Sequence, residues 1–354
     1  MNGWLAAFIA GGKYFAVNCQ SSVNFRRQNK TMAPLRNVLL LLAALLPLLL
    51  TSQPASGPGQ EKVYAGIYLM NLYDLNINEH SFNADFYLWF KWKGERSPMN
   101  IEFVNSVEKW GFTQVDFSEE PELLADGYWY NGMRIEGRFY HPFVLYDFPL
   151  DRHQLDIHIE NVDYPQDSLV YVADSSGAFI REGLQMPGWK IEGCAMEIRT
   201  NRYQSNFGES GKAAAAFSNF TFQLSISRPL NYFLLKLMLP LLIVIIASLG
   251  ALFIHPAQLD ARISLPIGGL LTSVFLQQSY SSALPDVGYM VLMDKIYLLG
   301  YALIVCIMLR AILVGNKVGQ LKKKADIPAI KRTDRRLAWV LLAFFVSGVL
   351  VLVS

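Results

Sequence analysis

Between residues 62 and 228 hydrophobic and polar positions alternate in short runs, the period of a half-buried strand. Phe86, Leu88, Phe90 and Trp92 alternate with Tyr87, Trp89 and Lys91. Leu155, Ile157 and Ile159 alternate with Asp156, His158 and Glu160, and Phe220, Phe222, Leu224 and Ile226 with Thr221, Gln223 and Ser225. Turn dipeptides lie between such runs: Asp126-Gly127, Asn131-Gly132, Ser176-Gly177 and Pro187-Gly188. Many short strands with one polar face and no long helix predict an antiparallel, immunoglobulin-like β-sandwich of about ten strands.

The alternation stops at Arg228-Pro229. Tyr232–Ile254 is apolar apart from Lys236 and contains Pro240. Ile263–Ala283 mixes Ser, Thr, Gly and Gln with large apolar residues. Tyr289–Val314 is apolar apart from Asp294, Lys295 and Arg310, and Leu337–Val353 is almost without polar residues. Each approaches the roughly 20 residues that cross a bilayer. The chain therefore reads as a sandwich domain over 58–228 and an all-α domain over 229–354, with spans at 232–254, 261–283, 289–314 and 335–353.

Two independent signals orient these spans. From Met32, one Arg, an apolar run over Val38–Leu50 and small residues at Ala55 and Ser56 match a secretory signal peptide. Residues 1–57 are thus read as leader, with Met32 as its start, and the sandwich as exported. Eight Lys and Arg lie between Asn316 and Arg336, opposed only by Asp326 and Asp334. The positive-inside rule places that loop, 315–334, in the cytoplasm. Counting back, the 282–288 loop and the sandwich are outside, as is the C-terminus. An inner, multi-pass cell membrane protein with a periplasmic or extracellular domain is expected.

Composition narrows the class. The 354 residues are 52% hydrophobic and only 17% charged, against about 25% charged in soluble domains. A net charge of +2 gives no electrostatic case for nucleic acid. Cys19, Cys194 and Cys306 leave one cysteine in the exported domain, which cannot be stapled internally. The histidines match no compact metal-ligand motif, and no cofactor is expected. Asp116, Glu119, Glu120 and Glu122 form an acidic loop suited to weak divalent-ion binding or to solvation alone. Gly11-Gly12-Lys13 lacks the phosphate-loop pattern. With no nucleophile–base constellation, the chain is not expected to be an enzyme.

The second span departs from the others. At helical spacing Asp260, Ser264, Gly268, Leu271, Phe275, Gln278 and Ser282 form one stripe, with Ile263, Ile267, Leu270 and Val274 on the other side. Such a stripe suits a water-filled pore, but small and hydroxyl residues equally serve helix–helix contact.

Ordered landmarks then point to one family. Phe148-Pro149-Leu150-Asp151 resembles the Phe-Pro-x-Asp core of the signature loop of Cys-loop receptors, the pentameric ligand-gated ion channels. Arg228-Pro229, Pro240, Asp260–Arg262 and Leu284-Pro285 follow in family order. The two loop cysteines are replaced by His141 and Leu155, and the last interhelical loop is short, so the chain is similar to the prokaryotic branch. The resemblance covers residues 62–354.

It implies a homopentamer around a central pore lined by the second span. A ring of Asp260 carboxylates at the cytoplasmic mouth would favour cations; Arg262 would oppose it if it faced the lumen. Leu271 and Phe275 would form a hydrophobic gate. Phe148, Pro149, Asp151, Arg228 and Pro285 would couple sandwich to pore, with Asp151 and Arg228 paired. A small-molecule agonist would sit between subunits among Glu102, Phe103, Asn105, Glu160, Tyr164, Tyr203 and Phe217, under a hairpin over Arg199–Phe220. Acids beside aromatics suit an ammonium ligand. Protons are a second stimulus, since His141, His153 and His158 flank the signature loop. A non-conducting, membrane-anchored ligand sensor is the rival of a different class.

Overall fold

The computed structural model describes residues 17–19, 59–176, 179–208, 215–320 and 327–354. The leader read over 1–57 lies outside the described residues except for three. Those three form strand β1 (Val17–Cys19), which pairs antiparallel with residues 194–196.

The β domain follows as β2 (Glu61–Asn76), β3 (Ser81–Trp92), β4 (Ile101–Phe103), β5 (Thr113–Asp116), β6 (Glu122–Leu123), β7 (Trp129–Tyr140), β8 (Arg152–Asn161), β9 (Leu169–Ala173), β10 (Lys190–Arg202) and β11 (Ala216–Ser227). One sheet runs β1-β10-β11-β8-β4 and the other β5-β7-β3-β2-β9, with β6 on β7. All pairs are antiparallel except β2 with β9. Register places Phe86 opposite Ile135 and Phe220 opposite Ile159. The apolar half of each alternating strand therefore turns inward. Phe86, Phe90, Ile159, Phe220 and Phe222 are almost wholly buried between the sheets.

Four helices long and apolar enough to cross a membrane follow: α1 (Tyr232–Gly250), α2 (Leu259–Ser281), α3 (Leu292–Gln320) and α4 (Ile327–Val353). The first seven residues of α1 are π-helical, and Leu239 N–H donates to Leu234 C=O five residues back. Pro240 follows directly and brings no N–H to the ladder, a local reason for the widened turns. The basic segment 315–334, read from sequence as a loop, is largely helical. α3 continues to Gln320 and α4 begins at Ile327, eight residues before the expected span. Hydropathy marks only the part of a helix that fits the hydrocarbon, whereas backbone hydrogen bonding carries it on into water. Lys322, Lys323 and Lys324 lie outside the described residues.

Candidate functional site

Helix α2 has two unlike sides. Arg262, Pro266, Ser273 and Tyr280 are buried against the other helices. Asp260, Ser264, Gly268, Gln278 and Ser282 are all exposed, and Leu271 and Phe275 are 57% and 66% exposed. Every residue of the sequence-defined stripe thus lies on the outside of the bundle, but so do Ile267 and Val274, which the sequence pattern put on the other side. The exposed face is wider than the stripe because α2 packs against its neighbours along a narrow seam. The neighbouring glycines divide the same way. A Cβ on Gly269 would collide with Ser248 of α1, while one on Gly268 would meet open space. Gly269 is needed for close helix approach, and Gly268 opens the outer face. Along this face Ser264 and Thr272 donate to the carbonyls of Asp260 and Gly268, at 2.7 and 2.8 Å.

Arg262 lies off the stripe. It is wholly buried; its Nη2 donates to Asp334 Oδ2 of α4 at 2.5 Å, and its Nε to Ala251 C=O at 3.1 Å. Arg310 of α3 holds the other oxygen of Asp334 at 2.9 Å. Sequence reasoning left open which way Arg262 points. The signal was present, since Asp334 is one of only two acids in the basic segment.

A second cluster joins the sandwich to the helices. The first N–H groups of a helix lack intrahelical acceptors. In α3, Leu292 and Met293 find theirs in the loop between β7 and β8, at the carbonyls of Tyr146 (2.8 Å) and Phe148 (3.2 Å). Leu145 N–H donates to the Tyr289 hydroxyl at 3.0 Å, and the Tyr146 and Tyr289 rings stack at 4.0 Å. The buried Phe148 ring, preceding the cis Phe148–Pro149 peptide, stacks on Tyr280 of α2 at 6.1 Å. The loop therefore touches both α2 and α3. Its ring contact on α2 is Tyr280; Pro285 is half-buried in the segment beyond.

Tyr280 in turn donates to Asp294 Oδ1 of α3 at 2.5 Å, Gln277 donates to the same oxygen at 3.2 Å, and Tyr301 donates to Gln277. Sequence reasoning missed this α2–α3 network. Its available signal was a carboxylate within an apolar span. On the sandwich side Asp151 takes Arg228 Nε on Oδ1 and His153 Nε2 on Oδ2, both at 2.8 Å. Arg228 also lies over Trp189 (4.2 Å) and Phe148 (5.0 Å). A buried carboxylate with two partners and a cation with two ring faces fit a low-dielectric boundary, where an unpaired charge is costly.

The expected ligand residues are only partly brought together. Glu160, 1% exposed, accepts from Asn201 Nδ2 and Asn219 Nδ2, each at 2.8 Å, and from the Tyr203 hydroxyl at 3.0 Å. Burial, then the Glu160 carboxylate, push the Tyr203 phenol up to about 12, so it remains a donor. Tyr203 meets Phe207 and Phe217 edge-on at 5.3 and 5.9 Å, and Glu102 pairs with Glu160 across β4 and β8. Phe103 and Asn105 do not join this cluster. Phe103 stacks on Phe112 and meets Phe86 and Phe139 edge-on. The Asn105 amide bridges the carbonyls of Tyr140 and Asp156 and accepts from His158 N–H, so its work is to tie strands. Tyr164 lies under Arg96 at 6.0 Å. Alternation in the short strand at 101–103 cannot separate an inward aromatic from a ligand-facing one. Asn201 and Asn219, which hold Glu160, left no pattern in the sequence beyond their side-chain type. Residues 209–214 of the expected hairpin lie outside the described residues.

Of the histidines flanking the loop, His141 is pushed down to about 4, by burial first and then by His153 and His80. His158 is also pushed down, by burial and Arg199. Asp156 moves the other way: burial, with Glu197 adding to it and Arg199 opposing, raises it to about 6. No protein-family model matches the chain.

Proposed function

We propose that this chain is a subunit of a ligand-gated, cation-conducting channel, assembled as a homopentamer with α2 lining the pore. The observation that carries this reading is the outward face of α2. In a lone four-helix bundle Asp260, Ser264, Gln278 and Ser282 would lie against lipid, where polar and ionised groups are costly. A water-filled lumen shared between copies removes that cost, and the ring of Asp260 carboxylates then favours cations. Leu271 and Phe275, one turn apart on the same face, close the lumen by dewetting. Arg262, engaged with Asp334, does not oppose the Asp260 ring from within the lumen.

Gating enters through the contacts of the signature loop with Tyr280, Leu292 and Met293, braced by the Asp151–Arg228 pair. The agonist site is proposed at Glu160, Tyr203 and Phe217, since a carboxylate beside aromatic rings suits an ammonium group, which binds over ring faces. A proton-gated channel of the same architecture has one observation in its favour: burial raises Asp156 to about 6, whereas it pushes His141 down to about 4.

The test is current from this subunit expressed alone under asymmetric salt, with external pH steps followed by small primary amines. An evoked current reversing near the cation equilibrium potential is expected. Reversal near the anion potential would overturn the selectivity claim. Absence of current from a surface-expressed oligomer would favour a non-conducting sensor.

A further inference from the structure

Three titratable side chains at the basic end of the bundle take no part in the stripe or the junction. Arg262 and Asp334 are both 0% exposed, and Arg310 closes the group from α3. Two guanidiniums share one carboxylate, so the group carries one net positive charge. Arg262 Nη1 has no partner among the described residues, so Asp334 is the carboxylate that compensates it. Arg262 stands two residues from Asp260, on the opposite side of the same first turn of α2. Any change in the charge of this cluster is therefore felt at the mouth where Asp260 faces out.

We propose that Asp334 is a selectivity-determining positioning residue: it holds Arg262 inside the bundle, off the exposed stripe, and cancels its charge beside Asp260. This rests on the channel reading. Asp334 touches no permeating ion; it acts through Arg262. Three elements converge to enforce the arrangement. The Ala251 carbonyl at the end of α1 orients the guanidinium of α2 through Nε, α4 supplies the carboxylate, and α3 supplies the second cation that fills its other oxygen. Without Asp334, two positive charges per subunit would stand uncompensated beside the mouth, against a single Asp260. Buried charges are little screened by salt, so the effect should persist at physiological ionic strength.

The experiment compares reversal potentials in asymmetric NaCl for wild type, Asp334→Asn, Arg262→Gln and the double variant. Asp334→Asn should lower the cation-to-anion permeability ratio by roughly threefold or more. Arg262→Gln, which leaves Asp334 paired with Arg310, should raise the ratio. The double variant should return to the wild-type value or above it. If Asp334→Asn fails to assemble, Arg262→Gln and the double variant still decide. An unchanged ratio in Arg262→Gln, or a double variant below wild type, overturns the proposal. An assembled wild type that passes no current would instead overturn the channel reading.

Discussion

The two halves of this molecule are built in opposite senses. In the sandwich the wholly buried groups are mostly rings and branched chains such as Phe86, Phe90, Ile159 and Phe220, with the hydrogen-bonded carboxylates of Asp151 and Glu160 as exceptions, while charges such as Lys190 and Glu192 pair at the surface. In the helical half the exposed residues include Leu235, Leu313 and Val351, at 64%, 59% and 74%, whereas Arg262 and Asp334 are sealed inside. One set of forces yields both, because the surroundings differ. Water drives apolar surface inward, but lipid offers a Leu side chain as good a home as the protein does and rejects ions. Against that background, the outward polar stripe of α2 is the feature that neither lipid nor a packed core explains.

Substitutions inside the sandwich should cost the most. Phe220→Ala removes a ring between the sheets and is expected to cost about 3–5 kcal/mol, read as a lower midpoint of thermal unfolding in detergent. Asp151→Ala sits where the two regimes meet. It strands Arg228 and should cost about 3 kcal/mol. It should also weaken stimulus-evoked current at equal surface expression, which Phe220→Ala in a surviving fraction should not.

A smaller effect is expected from a titrating group on the water-facing side. Asp156 is raised to about 6 in the folded chain, against 3.8 when unfolded. A raised pKa contributes stability below the unfolded value, and that contribution is lost as pH rises through the folded value. Between about pH 4 and pH 6 the folded state holds the extra proton, so stability falls across that window. Asp156→Asn should therefore stabilise the protein at pH 7 by about 1 kcal/mol, after allowance for partial exposure, and by much less at pH 4. A midpoint gain that is the same at both pH values would contradict the assignment. The smallest effect is expected in the lipid-facing shell, where Leu313→Ala should change stability by less than about 1 kcal/mol. A loss approaching that of Phe220→Ala would show that this face packs against protein.

Much of the architecture was legible because period-two alternation and apolar length are direct consequences of sheet and bilayer geometry. The stripe from Asp260 to Ser282 was legible for the same reason, since a helix face is a matter of spacing. Phe103 was not, because an inward ring and a ligand-facing ring have the same spacing in a three-residue strand. Nor were Asn201, Asn219 and Asp294, whose roles depend on partners 14 to 59 residues away. The helical start at Ile327 was hidden because hydropathy is blind to a helix in water.

Whether the exposed face of α2 lines water can be read from thiol accessibility. Ser264, Leu271, Phe275 and Gln278 would each be replaced by Cys, with Ser273→Cys as the buried control. Each variant would then meet a charged, membrane-impermeant thiol reagent while current is recorded. A water-lined face predicts modification and block at the four stripe positions and little at Ser273→Cys. The variants would be made in a Cys306→Ser background, since Cys306 on α3 is exposed, whereas Cys194 is buried in the sandwich. Reaction at Ser273→Cys with silence at Ser264, Leu271, Phe275 and Gln278 would contradict this reading, and would put another face of the helix against water.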